Sequence, residues 1–331
     1  GGYIKLTIFN FVKLFYHFIS LIGICKPISL QIFPYFFLTS HKINNYISVM
    51  KTKEQLIDDL LNLAFAEDVG DGDHTTLSTI PADAIGRQKL LIKEEGILAG
   101  VEIAKMVLHK VDPTLKIELF IEDGAHVKPG DIAFIVEGSV RSLLVAERTM
   151  LNIMQRMSGI ATTTDRYQRR LEGLHTRVLD TRKTTPGMRM LEKEAVAIGG
   201  GVNHRIGLFD MILIKDNHID FAGGIPQAVN AAKQYCAEHG KDLKIEVEAR
   251  SLEDIQTILD LGGVYRIMFD NFTPALTKQA VELVAGRCQT ESSGGITIDN
   301  LRDYAEAGVD FISVGALTHS VKGLDMSFKA I

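Results

Sequence analysis

Six short apolar segments between residues 176 and 316 constrain this fold more than any other feature: TRVLDTRK, MILIKD, KIEVEA, RIMFDN, TESSGG and FISVGA. Helical or loop sequence separates each from the next. A parallel strand pair needs a crossover long enough to return over the sheet, usually a helix. Regular strand–helix alternation therefore predicts a parallel sheet that closes or nearly closes. Six strands fall short of the eight of a complete barrel. The expected class is α/β with an incomplete barrel, preceded by an α+β region.

That region is read from its own periodicities. Residues 51–69 pattern as a helix, with Leu56, Leu60, Leu63 and Ala64 at helical spacing behind the cap candidate Thr52. A polar turn, GDGDHTT, follows; Asp73 and His74 within it have no role legible from sequence. Short strands are expected at 87–93, 115–121 and 132–137, with a helix over 101–109. EDGAHVKPGD places Gly124, Pro129 and Gly130 where a hairpin needs tight turns. A long helix is expected from 143 to 168, its Met150, Met154 and Met157 filling the core.

The first 49 residues differ in composition. They hold seven of the sixteen phenylalanines, four lysines and no acidic residue, so the remainder carries 32 Lys+Arg against 41 Asp+Glu. Asn10, Lys13 and His17 interrupt the apolar run that would make an anchor or signal, and the arginine of a targeting peptide is missing. The expectation is a leader upstream of a true start at Met50. Cys25, Cys236 and Cys288 are isolated, which suggests a reducing compartment and no structural metal.

Against an overall net charge of −5, residues 180–218 gather Arg182, Lys183, Arg189, Lys193, His204, Arg205, Lys215 and His218. A basic concentration inside an acidic protein argues for a pocket for a small, multiply charged anion and against a nucleic-acid surface. In α/β barrels ligands meet the C-terminal ends of the strands, and the charges obey that rule. Arg182, Lys183 and Lys215 end the first two segments; Glu248 and Asp270 end the third and fourth. Loops containing Ser293 and Gly294, and Gly315 and His319, end the last two and offer backbone N–H groups to a phosphate. Gly199, Gly200 and Gly201 lack the spacing of a nucleotide loop and are read as a flexible approach to His204 and Arg205.

The stretches EDVGDGDHTT, ERTMLNIMQRMSGIAT, DTRKTTPG, FDNF, ESSGGI and VGALTHS resemble the quinolinate phosphoribosyltransferase family across essentially all of residues 50–331. The resemblance implies an N-terminal α/β sandwich domain over 50–158 and a type II phosphoribosyltransferase barrel over 159–331, whose last residues are candidates for packing on the first domain. It implies transfer of phosphoribosyl from phosphoribosyl pyrophosphate to quinolinate with decarboxylation, giving nicotinate mononucleotide in NAD biosynthesis. Arg182, His204, Arg205 and Lys215 would bind quinolinate, with Arg148 reaching in from a second subunit of a homodimer or higher oligomer. Lys183, Glu248, Asp270, Ser293, Gly294, Gly315 and His319 would bind phosphoribosyl pyrophosphate. Lys183, Glu248 and Asp270 would be the catalytic set, and Glu248 and Asp270 would hold Mg2+. Ala249 and Arg250 depart from the acidic residue that many relatives carry beyond the glutamate. The alternatives are a paralogue acting on nicotinate, disfavoured by the doubled cationic set, and a non-catalytic metabolite binder. A cytoplasmic location is expected, with no membrane unless the leader is real.

Overall fold

The structure, a computed structural model, describes residues 51–331. The leader 1–49 and the proposed start at Met50 lie outside the described residues, as does Cys25. Helix α1, Lys53–Asp68, forms where the periodicity predicts it, and buries Ile57 and Leu61. The stripe Leu60, Leu63 and Ala64 instead borders an open groove.

The GDGDHTT turn is a helix start. Asp73 caps α2, His74–Thr79, by accepting the Thr76 N–H at 3.0 Å and the Thr76 hydroxyl. At the other end the Arg141 guanidinium donates to the carbonyls of Leu77 and Ile80. Both ends of a short, intrinsically weak helix are thus satisfied by side chains.

Strand β1, Ile85–Ile92, alternates buried Gln88, Leu90 and Ile92 with more exposed neighbours. Then come β2, Gly96–Ile97; α3, Val101–Val111; β3, Lys116–Leu119; β4, His126–Val127; and β5, Ile132–Ser139. The expected hairpin is more elaborate than the sequence suggested. β3 and β5 pair antiparallel, but the connection between them contributes β4, which pairs with β2. Helix α4, Val140–Arg170, is capped by Ser139 and buries Met150, Met154 and Met157 as expected.

The strand–helix alternation follows: β6, Arg177–Leu179; α5, Arg189–Ile198; β7, Ile212–Ile214; α6, Asp216–Ala222; α7, Ile225–His239; β8, Ile245–Ala249; and α8, Leu252–Leu261. It continues through β9, Arg266–Asp270; α9, Pro274–Val284; β10, Gln289–Ser293; α10, Leu301–Glu306; β11, Phe311–Ser313; and α11, Ala316–His319. The six strands form one parallel sheet in the order β6-β11-β10-β9-β8-β7. The final strand, β12, Met326–Ala330, pairs with β1, completing a four-stranded antiparallel sheet in the order β12-β1-β5-β3.

The parallel sheet curls. His204 is tied to the end of β6, where its N–H donates to Asp180 at 2.8 Å. Its Nε2 also lies 3.1 Å from Glu246 Oε2 on β8. In a flat sheet β6 and β8, with three strands between them, would stand about 19 Å apart. Only a barrel-like curl brings them to one imidazole. The seam between β6 and β7 carries no strand pairing, apart from a bridge that sets Val202 beside Leu179. The barrel is incomplete, as expected.

One expectation is corrected. Gly199 and Gly201 pack closely against α4, with the exposed Gly200 between them at a φ of +86°, so the run is not a flexible approach. A Cβ at Gly199 would lie 2.3 Å from the Ala161 carbonyl oxygen, and one at Gly201 would lie 2.8 Å from Thr164 and Val196 side-chain atoms. The absent side chains let the α5 end seat on α4. Among the described residues no helix is long and apolar enough to cross a membrane.

Candidate active site

Strand ends deliver the site. Arg182 and Lys183 follow β6, Lys215 follows β7, Glu248 lies near the end of β8, Asp270 ends β9, Ser293 ends β10 and Gly315 follows β11. A cavity of about 310 Å3 opens there. Six of the residues singled out from sequence line it: Arg182, Lys183, His204, Arg205, Lys215 and Ser293. Leu213 and Met268 add apolar wall, and Thr181, Glu291 and Ser313 add polar lining that the sequence reading missed.

The cations converge without neutralising one another's need for an anion. Burial and the neighbouring Arg182 charge both press the Arg205 guanidinium below its usual range. Its Nη1 donates to the Met211 carbonyl at 3.3 Å. Asp210 ties the intervening turn by accepting the N–H groups of Ile206 and Gly207 at 2.7 and 2.8 Å. Two guanidinium groups held this close suit a ligand with more than one carboxylate.

Glu248 stands on the rim, 3.7 Å from Lys215 Nζ. Burial raises its pKa; Lys215 opposes that rise, and the nearby Asp270 charge adds to it. Glu248 Oε2 is buried without a hydrogen-bond partner. Asp270 Oδ2 accepts from Asn271 at 2.8 Å. An unsatisfied carboxylate oxygen beside a second carboxylate fits a hard divalent cation of the Mg2+ kind, which takes one or two carboxylates and completes its shell with phosphate oxygens and water.

The loops after β10 and β11 are shaped by glycine. A Cβ at Gly294 would lie 2.2 Å from Asn271 Oδ1, and the φ of Gly294 is +103°. At Gly315 a Cβ would come 3.1 Å from both Lys183 Cδ and the His319 ring. Lys183, Gly315 and His319 are therefore neighbours, and the Thr318 hydroxyl donates to the Lys183 carbonyl at 2.8 Å. Glu248, Asp270, Gly294, Gly315 and His319 belong to the strand ends and loops around the cavity, whereas Arg148 lies elsewhere. It is exposed and borders a separate groove with Leu60, Leu63, Ala64 and Arg156.

Sequence reasoning also missed the buried charges that hold these groups. Lys193, 2% exposed, pairs with the fully buried Asp180, which also accepts from the His204 N–H. Burial raises the Asp180 pKa and lowers that of Lys193. Arg156 reaches from α4 to the buried Glu192 on α5 at 2.6 Å, and donates to the Thr185 hydroxyl at 2.8 Å and the Thr318 carbonyl at 3.0 Å, joining the loop after β6 to α11. Glu246, Arg266 and Glu291 form a third group below the cavity. The available signal was a charge in the middle of an apolar strand, since strands of a covered parallel sheet are ordinarily near-continuous hydrophobic runs.

Glu246, Glu291 and His204 also have the spacing of a metal site, their ligand atoms lying within 4.8 Å of one another. Arg266 Nη1 sits 2.9 Å from Glu291 Oε2 and 3.6 Å from Glu246 Oε2, so a guanidinium already holds the cation's place.

With this geometry in view, the comparisons with known proteins are specific. The N-terminal domain model of quinolinate phosphoribosyl transferase matches residues 73–158, and its C-terminal domain model matches residues 160–329. A rice (Oryza sativa subsp. japonica) protein named nicotinate-nucleotide pyrophosphorylase (carboxylating), chloroplastic, is 46% identical over 286 residues, 82% of this chain and 76% of that one. A Bacillus subtilis protein, the probable nicotinate-nucleotide pyrophosphorylase (carboxylating), is 42% identical over 268 residues, 81% of this chain and 91% of that one. The crystal structure of NadC from Streptococcus pyogenes superposes with a TM-score of 0.79 at 38% identity, covering 86% of this chain and all of that one. With both domain models matched and such relatives spanning most of its length, the chain belongs to the quinolinate phosphoribosyltransferase family.

Proposed function

We propose that the protein transfers the phosphoribosyl group of phosphoribosyl pyrophosphate to the ring nitrogen of quinolinate, releasing pyrophosphate and then CO2 to give nicotinate mononucleotide. The carrying observation is the single cavity in which Arg182, Lys183, Arg205 and Lys215 converge around His204. Arg182, Arg205 and Lys215 bind the two carboxylates, and His204 lines the pocket beside them. Lys183, Ser293, Gly294, Gly315 and His319 bind the phosphates.

As the ring nitrogen bonds to the ribose carbon, the bond to pyrophosphate breaks and positive charge spreads over the sugar, as in glycoside cleavage. Glu248 and Asp270 stabilise that charge across the rim from the cations. Lys183 meets the negative charge left on the departing pyrophosphate. The carboxylate beside the ring nitrogen then leaves as CO2, its bonding electron pair stays on the ring carbon, and the now positive nitrogen stabilises it until a solvent proton arrives. No strong protein acid or base is needed. Glu248 and Asp270 would hold Mg2+, which when bound offsets pyrophosphate charge.

For the assembly we propose a homodimer or higher oligomer in which Arg148 completes a neighbour's acid pocket. The exposed apolar stripe of α1 beside Arg148 supports it. We divide the chain into a leader over 1–49, a sandwich domain over 50–158 and a barrel over 159–331. A cytoplasmic location is proposed on the free thiols of Cys236 and Cys288; cell fractionation checks it against the organelle in the rice relative's name.

The test of the pocket is Arg182→Ala and Arg205→Ala. A charge-assisted hydrogen bond is worth about 1.5–3 kcal/mol, so each change raises the quinolinate KM by about tenfold to a hundredfold. Near-normal affinity in both variants would contradict the pocket.

A further inference from the structure

At the floor of the cavity, with Glu291 among its lining residues, lies a layer of charge that the proposed reaction does not use. Glu246, Arg266 and Glu291 come from the neighbouring strands β8, β9 and β10 and are 0%, 5% and 0% exposed. Burying ions is strongly unfavourable unless they are paired, and even a good pair is seldom a net gain over apolar packing. Stability alone is therefore a poor reason for this layer.

Its upper surface is His204. The imidazole Nε2 lies 3.1 Å from Glu246 Oε2 and 3.5 Å from Glu291 Oε2. The other ring nitrogen, Nδ1, accepts the Arg205 N–H at 2.7 Å. An acceptor nitrogen needs its lone pair free, which places the ring proton on Nε2, toward the carboxylates. Around the same residue, Asp180 from the end of β6 accepts the His204 N–H, and Lys193 from α5 donates to its carbonyl at 3.3 Å. Burial disfavours a charged His204, and the two carboxylates pull toward it. A second proton would have to sit on Nδ1, against the Arg205 N–H. The geometry thus favours the singly protonated ring despite that pull.

We propose that Glu246, Glu291 and Arg266 are positioning residues for the acid-binding half of the site. They hold the Nε2–H form of His204, which through Nδ1 fixes the backbone of Arg205 for the substrate's carboxylates. Arg266 keeps the two carboxylates apart from free cations and aimed at one ring. The proposal rests on Arg205 as an acid ligand.

The test uses the full-length protein and Glu246→Leu beside Glu246→Gln, which keeps an uncharged acceptor oxygen within reach of Nε2. Glu246→Leu should raise the quinolinate KM by about tenfold or more, with kcat and the phosphoribosyl pyrophosphate KM within about twofold. Glu246→Gln should recover most of that loss. An unchanged quinolinate KM with a lowered Tm would make the layer merely structural and overturn the proposal, as would a parallel rise in both KM values. A second measurement stands apart from folding of the variants: imidazole 15N shifts of His204 in the wild-type protein should report the Nε2–H tautomer, and an Nδ1–H ring overturns the proposal. A wild-type Tm lowered by EDTA and restored by Mn2+ or Zn2+, with Glu246→Gln blind to both, would make the cluster a metal site and overturn it too. Wild-type turnover of quinolinate is the control; its absence would fault the assigned reaction and leave the 15N result to judge the layer.

Discussion

Arg205 and Lys193 lie twelve residues apart in one basic segment, yet their chemistry differs completely. Arg205 lines the cavity beside Arg182, whereas Lys193 is spent on the buried Asp180. The sequence shows the excess of positive charge but not this division, because helical periodicity cannot say which face of α5 meets the barrel. Arg182, Lys183 and Lys215 were legible because strand ends in a barrel point at ligands. Glu246, Arg266 and Glu291 were not, because strand pattern does not tell a charge facing solvent from one turned into the barrel. Lys193→Met leaves Asp180 buried and uncompensated, which should cost about 3–5 kcal/mol, read as a lower urea midpoint. An unchanged midpoint would mean that the pair does not hold the loop carrying His204. Glu248→Gln should lower kcat by about 100-fold or more, the scale of losing one preorganised electrostatic group. Steady-state kinetics with quinolinate checks it, and retained turnover would move the charge stabilisation elsewhere.

Elements here are fixed as much by side chains at their ends as by their periodicities. The hydroxyl and N–H of Thr76 hold the Asp73 carboxyl below its ordinary value of 3.8. A lowered folded pKa means that the cap contributes fully above the ordinary value and is lost as pH falls through the folded one. The Tm gap between the wild type and Asp73→Ala should therefore be present at about pH 6 and shrink toward pH 3; a constant gap would contradict the cap. Where the segment before β12 crosses α4, glycine sets the distance. A Cβ at Gly159 on α4 would lie 2.2 Å from the Lys322 carbonyl oxygen. Gly159→Ala should destabilise by about 1–3 kcal/mol through overpacking, measured by thermal unfolding, although its local helix propensity improves. Sequence pattern located α4 and all six barrel strands. It misread Gly199 and Gly201, because a glycine needed for freedom, such as Gly200 between them at a φ of +86°, and a glycine needed for close approach look alike in sequence.

At the scale of the whole molecule, the incomplete barrel delivers Arg182, Lys183, Lys215, Glu248, Asp270 and Ser293 to one end, and β12 returns the chain to the first sheet. Arg148 borders a different groove, beside α1. If it serves a neighbouring subunit, Arg148→Ala and Lys183→Ala proteins, each nearly inactive, should regain about a quarter of wild-type activity when mixed and reassembled as random dimers. No recovery would place Arg148 outside any shared site. The strand count and the basic segment made the fold and pocket readable in advance. The assembly was not readable, because an apolar helix stripe does not name what covers it.

The most direct test of the central claim follows nicotinate mononucleotide and CO2 from the full-length protein supplied with phosphoribosyl pyrophosphate and Mg2+, with quinolinate in one reaction and nicotinate in the other. A cavity with doubled cations predicts product and CO2 from quinolinate and little from nicotinate. Turnover of nicotinate equal to or above that of quinolinate, or no turnover of quinolinate, would contradict the account.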